Sequence, residues 1–110
     1  MNWNIEYYNS DVEDKILELP SGLLARYLRL TDMMIEHGSN LGLPHTKSLT
    51  SGLFELRLKS KEGIGRVFYC TKVGKNIVML HSFVKKSQKI PKNEMDIAQK
   101  RLKEVKENDS

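Results

Sequence analysis

The stretch Leu53-Phe54-Glu55-Leu56-Arg57-Leu58-Lys59, followed by Ile64-Gly65-Arg66-Val67-Phe68-Tyr69-Cys70-Thr71-Lys72 and Asn76-Ile77-Val78-Met79-Leu80-His81-Ser82-Phe83-Val84, decides the fold. In its first segment Phe54, Leu56 and Leu58 alternate with Glu55, Arg57 and Lys59, the period of a half-buried strand. Ser60 to Gly63 reads as a turn, and so does Val73-Gly74-Lys75. The uninterrupted apolar run Ile77 to Leu80 predicts a strand buried on both faces. Three strands joined by short turns form an antiparallel meander.

Working outward, Trp3 to Tyr8 alternates and is rich in strand-prone side chains, so a first strand is expected there. Ser10 with Glu13 fits a capping box, and Val12, Ile16 and Leu19 share one helical face. Pro20-Ser21-Gly22 breaks that helix. Leu24, Tyr27, Leu28, Met34 and Ile35 mark a longer second helix ended by His37-Gly38. Residues 39–52, punctuated by Gly42, Pro44 and Gly52, are expected to be loop. After the meander, Pro91 suits the first turn of a last helix with Met95, Ala98, Leu102 and Val105 on its apolar stripe. The tail from Glu107 to Ser110 is expected to fray. The 110 residues therefore predict one α+β domain spanning the chain, a strand and helical hairpin packed on an antiparallel sheet whose other face is free.

Composition narrows the function. The chain carries a formal charge of +4, unevenly spread: residues 1–52 hold a net −3 and residues 53–110 a net +7. From Leu53 to Lys92 ten cations stand against Glu55 and Glu62 alone. That balance suits a polyphosphate partner, although a lysine-rich solubilising surface gives the same count. A single cysteine, Cys70, excludes a disulfide framework, and no Cys or His spacing suggests a metal site. Walker, nucleophile-elbow and HExxH signatures are absent, no apolar run is long enough to span a membrane, and no leader pattern opens the chain. The expectation is a cytoplasmic protein working with cations and hydrogen bonds, without metal or cofactor.

Strand periodicity puts those cations on one face. If Leu56 and Leu58 lie under the helices, Glu55, Arg57 and Lys59 point away. With Val67 and Tyr69 inward, Arg66 joins Arg57, while Phe83, Lys85 and Lys86 close the last strand at the same end. Cations that grip phosphates beside an aromatic that can stack a base form a single-stranded RNA platform. Each residue also has a structural reading. Arg57 could pair with Glu55 or Glu62 on the surface, and His81 could be a satisfied core histidine. Phe68 and Phe83 could be core, and Lys85, Lys86 and Lys89 a solvated edge. Tyr69 is expected in the core with its hydroxyl bonded, and Cys70 as a small buried hydrophobe.

The strings Leu53-Phe54-Glu55-Leu56-Arg57, Gly65-Arg66-Val67-Phe68-Tyr69 and Leu80-His81-Ser82-Phe83-Val84-Lys85-Lys86-Ser87-Gln88-Lys89-Ile90-Pro91 strongly resemble the phage-derived, HigB-like branch of the RelE/ParE toxin superfamily. The similarity extends to Leu41-Gly42-Leu43-Pro44, Leu49-Thr50-Ser51-Gly52, Ile97-Ala98 and Arg101. This resemblance implies a RelE-like fold and the toxin half of a type II toxin–antitoxin pair. It implies a metal-independent endoribonuclease that cuts mRNA in the ribosomal A site, leaving a 2′,3′-cyclic phosphate and a 5′-OH. The implied partners are the ribosome, mRNA and a small HigA-like helix-turn-helix antitoxin.

By that resemblance Arg57 matches the basic position of the second strand, Arg66 the arginine on the scissile phosphate, and Lys86 the basic residue closing the last strand. Glu55 falls where RelE-type sequences carry a second base, so it either accepts a proton or orients Arg57; His81 is a further candidate for proton transfer. Lys59, Phe83, Lys85, Lys89 and Lys92 are the expected RNA contacts. The alternatives at this point are a ParE-like gyrase poison, which lacks the nuclease constellation, and a non-catalytic RNA-binding module on the same basic face.

Overall fold

A computed structural model describes residues 2–85 and 89–109. Eight elements follow in chain order: β1 (Asn4–Tyr7), α1 (Ser10–Leu17), α2 (Ser21–His37), β2 (Thr46–Thr50), β3 (Leu53–Ser60), β4 (Gly63–Lys72), β5 (Asn76–Lys85) and α3 (Lys92–Glu107). The five strands make one mixed sheet in the order β1-β5-β4-β3-β2. β3, β4 and β5 form the expected meander, and β1 joins β5 in parallel.

The helical hairpin covers one face. Val12 and Ile16 of α1 and Leu23, Tyr27, Leu30 and Met34 of α2 pack on Leu56, Leu58, Val67, Tyr69, Ile77 and Met79. Each such fully buried aliphatic side chain contributes about 1.5–3 kcal/mol of transfer free energy. Tyr69 threads this layer, and its hydroxyl donates to Ser39 O at 2.5 Å, as a buried phenol requires. Burial pushes its pKa up to about 12. α2 ends at Gly38, whose φ of 109° favours glycine and whose N–H returns to Met34 O at 2.8 Å.

Four expectations need correction. The opposite face is not free: Ala98 and Leu102 of α3 bury Phe68, Cys70, Val78 and Leu80. The stripe read for the last helix is apolar because it covers that half of the sheet. The segment taken as loop contains β2, which pairs antiparallel with β3. The turn between them is Ser51-Gly52, with φ of 39° and 88°, the positive pair that suits a two-residue hairpin turn. β2 escaped notice because it is an edge strand with Lys47, Ser48 and Thr50 exposed, so little apolar alternation marks it. The cap of α1 is Asn9 rather than Ser10; its side chain accepts from Val12 N at 2.9 Å. Finally, the sheet is mixed through β1 rather than wholly antiparallel.

A bulge in β5 organises the functional end. Tyr69 pairs with Met79 but Phe68 pairs with His81, so Leu80 is the extra residue. The bulge shifts the alternation by one. Before it Ile77 and Met79 face the α1/α2 layer; after it His81, Phe83 and Lys85 lie opposite Phe68, Arg66 and Ile64 and so share the other face. Arg101 of α3 donates to the bulge carbonyl, Leu80 O, at 2.7 Å. Its guanidinium lies 4.8 Å from the Tyr8 ring centroid.

The start of α2 is capped from a distance. Pro20, at the cap position, offers no side-chain acceptor, and the Glu62 carboxylate, from the β3–β4 turn, accepts from Gly22 N. Glu62 N in turn donates to Ser60 Oγ at 3.0 Å. Losing a side-chain cap costs about 1 kcal/mol. Glu62→Ala is therefore expected to lower the unfolding free energy by about 1 kcal/mol with an unchanged urea m-value; a variant as stable as the parent would remove this contact from the account.

Candidate nucleic-acid interface

Because Leu56 and Leu58 are claimed by the helical layer, Glu55, Arg57 and Lys59 emerge on the face shared with α3. α3 covers only part of that face, and the far ends of β3, β4 and β5 extend beyond it. Arg57 and Arg66 stand directly opposite each other across the β3–β4 ladder. Like charges at such a position repel, and Glu55 relieves them. Its Oε1 lies 3.3 Å from Arg66 Nε and 3.6 Å from Arg57 Nε. Both Glu55 and Arg66 are only 4% exposed, whereas Arg57 keeps 32% of its side chain in solvent.

Two arginines around one carboxylate leave an uncompensated positive charge. Arg66 anchors itself by donating from a terminal nitrogen to Gly65 O at 3.0 Å. Its Nε, although close to Glu55, has no hydrogen-bond partner, so the charge attraction acts without good bond geometry. Burial lowers the Arg66 pKa, the Glu55 charge opposes that shift, and Arg57 adds to it. Arginine remains charged under any ordinary condition. An acceptor-rich dianionic or monoanionic oxygen group is the natural complement of such donors.

Lys85 completes the group from β5. It is 6% exposed, and burial lowers its pKa, with Arg66 and Arg57 reinforcing the effect and Glu55 opposing it. The same three residues are thus among its electrostatic neighbours. Phe83, opposite Arg66 on β5, tilts against Phe68 with ring centroids 5.4 Å apart; it is half-buried and belongs to both core and surface. Lys59 is exposed on the same strand face as Arg57.

Other sequence candidates fall elsewhere. His81 lies in a separate cluster, 3.3 Å from Glu94 of α3 through Nε2. Burial lowers its pKa, Glu94 opposes this by charge and hydrogen bond, and Arg101 and Lys15 lower it further. Its titrating neighbours do not include the arginine pair. Lys92 is exposed and 3.7 Å from Asp96, one helical turn on, and Lys89 is exposed ahead of α3. Lys86 lies outside the described residues.

Two residues missed by the sequence reading line the same place. A cleft of about 340 Å³ runs along the end of β3, bounded by Arg57, Lys59 and Arg66 together with Arg26 of α2 and His45 before β2. Neither Arg26 nor His45 carries a local motif; only the tertiary fold joins them to the strands. Among the described residues, no group of three His, Cys, Asp or Glu side chains is placed to hold a metal ion, and no helix is long and apolar enough to cross a membrane.

Residues 14–103 match the family model described as Phage derived protein Gp49-like. Among solved structures, the chain is similar to the archaeal RelE–RelB complex from Pyrococcus horikoshii OT3, with a TM-score of 0.51 and 20% identity. That match covers 76% of this chain and 96% of the other. No curated protein matches the chain.

Proposed function

Because the chain belongs to the phage-derived Gp49-like family and shares the RelE fold, we propose that it is the toxin of a type II toxin–antitoxin pair, an endoribonuclease that cuts mRNA in the ribosomal A site. The observation that carries this reading is the Arg57–Glu55–Arg66 group with Lys85, in which Arg57 keeps 32% of its side chain in solvent beside three buried partners. An anionic oxygen group suits these donors, and the residues match the chemical demands of a transphosphorylation.

In that reaction the ribose 2′-OH loses its proton, O2′ bonds to the adjacent phosphorus, and the P–O5′ bond breaks. The products are a 2′,3′-cyclic phosphate and a 5′-OH. Arg57 and Arg66 hold the non-bridging oxygens, where negative charge grows in the transition state. Glu55 fixes both guanidinium groups and limits their mutual repulsion. Lys85, as the neutral amine that burial and two neighbouring cations favour, accepts the 2′ proton. O5′ lies on the opposite side of phosphorus in an in-line displacement and takes its proton from water. His81, held against Glu94, positions α3 on β5. The partner of this chain is a HigA-like helix-turn-helix antitoxin that keeps the basic face from the ribosome.

The test is primer extension on a defined mRNA in a purified bacterial translation system, with and without the protein. Cuts within A-site codons that vanish when ribosomes are omitted are the expected result. Undisturbed translation without cuts would overturn the reading in favour of a gyrase poison or a non-catalytic RNA binder.

The proton assignment has its own signature. A base with a lowered pKa gains its active form as pH rises, so cleavage should increase with pH and level off below the ordinary lysine range. Lys85→Arg, which keeps the charge but cannot supply a neutral amine near neutrality, should lose that rise and most of the activity. A Lys85→Arg variant with the parent pH profile would exclude Lys85 as the base.

A further inference from the structure

The β2–β3 ladder stops before β3 does. Its last rung pairs Thr46 with Leu56, and Arg57 N then donates to His45 O at 2.8 Å. Beyond that point β3 runs on through Leu58, Lys59 and Ser60 with no β2 residue beside it. Strand alternation points the N–H of Lys59 the same way as that of Arg57, toward the side where β2 has ended. An open edge of this kind presents backbone donors. The cleft lies here, and it passes around the edge of the sheet, since Arg57 and Leu58, its two neighbours on one strand, face opposite sides and both line it.

The lining divides by chemistry. Arg26 projects from α2 on one side, His45 from the segment before β2 on another, and Lys59 from the edge itself; Pro44, Leu58 and Ile64 supply apolar wall. Among the described residues no acidic side chain lines the cleft, although Glu55 neutralises part of the arginine pair at its inner end. Cations at several points around a partly apolar recess of this size suit a ligand with both phosphate and a flat or sugar-like body.

We infer that the Arg26–His45–Lys59 edge of the cleft is a nucleotide subsite, which takes the nucleotide of a single-stranded RNA next to the phosphate held by Arg57 and Arg66. Arg26 and Lys59 contact its backbone phosphate, and Pro44, Leu58 and Ile64 pack against its sugar or base. The strand therefore leaves the reaction site around the edge of β3 toward α2, rather than along the sheet face toward α3. This deepens the nuclease reading and rests on it for the identity of the ligand as RNA.

The subsite can be tested without catalysis. Cytidine 3′,5′-bisphosphate and a short 2′-O-methyl oligoribonucleotide, which has no nucleophilic 2′-OH, are titrated into the isolated chain. Binding is followed through the arginine Nε–H and histidine ring signals in NMR spectra. Shifts at Arg26 and His45 together with Arg57 and Arg66 are expected. Arg26→Ala should weaken oligonucleotide binding several-fold and reduce its salt slope by about one, while Arg29→Ala, an exposed change on the same helix, should leave both at parent values. Shifts confined to Arg57 and Arg66, or moving instead to His81 and Arg101, would overturn the subsite. So would shifts nowhere, or equal effects of the two helix variants. Cleavage in the translation system is scored separately. Shifts at the edge with no cleavage would retain the subsite and reject the nuclease, whereas cleavage with an unmoved edge would do the reverse.

Discussion

Arg66→Ala is expected to lower mRNA cleavage in the translation system by at least about 100-fold, the usual cost of removing one preorganised donor to developing charge. The argument rests on position: Arg66 is carried on a central strand, buried, anchored to its neighbour's carbonyl and still holding an Nε–H that nothing accepts. Such a side chain cannot readily swing away, so its contribution is preorganised. The same burial makes the substitution costly to the fold, because it leaves Glu55 facing only Arg57. Losing one partner of a buried ion pair costs about 3–5 kcal/mol. The experiment therefore pairs it with Arg57→Ala, which keeps the buried Glu55–Arg66 pair and should melt near the parent temperature while cutting at least about tenfold more slowly. A folded Arg66→Ala protein that cuts like the parent would remove Arg66 from the site. An Arg57→Ala protein that does so would leave Arg66 and Lys85 to hold the phosphate alone.

Glu55→Gln separates two roles for the one acid in the group. As the base, Glu55 would be indispensable, and the amide would abolish cleavage at every pH. As the group that holds two arginines, it should be replaceable in chemistry but not in stability. The expected result is a protein destabilised by about 3 kcal/mol, since two cations then share a mostly buried place without a counterion, which for a domain of this size lowers Tm by roughly 10–20 °C. Below its melting temperature it should retain cleavage within about tenfold of the parent. The pH profile adds a sign. Glu55 raises the Lys85 pKa against the effects of burial and the two arginines. Removing its charge should move the rising limb of the profile to lower pH. Loss of all activity with an unshifted melting curve would make Glu55 the base and demote Lys85.

The parts of this site that were legible beforehand share one property: they depend only on strand alternation. Phe54, Leu56 and Leu58 fixed the orientation of β3, and with it Glu55 and Arg57; Val67 and Tyr69 did the same for Arg66. The position of Lys85 was reached by a less secure route, because the apolar run Ile77 to Leu80 is uniform and carries no phase. β2 was hidden by its own exposure, and the cover provided by α3 could be seen as an apolar stripe but not placed on a particular half of the sheet. Arg26 and His45 lie 31 and 12 residues before Arg57 in the sequence. Their meeting is a product of packing that no local pattern announces.

The residue left over at Leu80 makes β5 a strand of two parities. Up to Met79, odd-numbered positions feed the layer beneath α1 and α2; from His81 onward, odd-numbered positions serve the opposite surface. One strand thereby supplies scaffold to one side and reactive side chains to the other, without a break in chain direction. Counting is what separates the two halves: pairing straight through, with Leu80 opposite Phe68 and no residue left over, would leave the composition untouched yet exchange the destinations of Ser82, Phe83, Val84 and Lys85. In a domain this small, which has few elements to spare, a single unpaired residue is an economical way for chemistry and core to occupy the same strand.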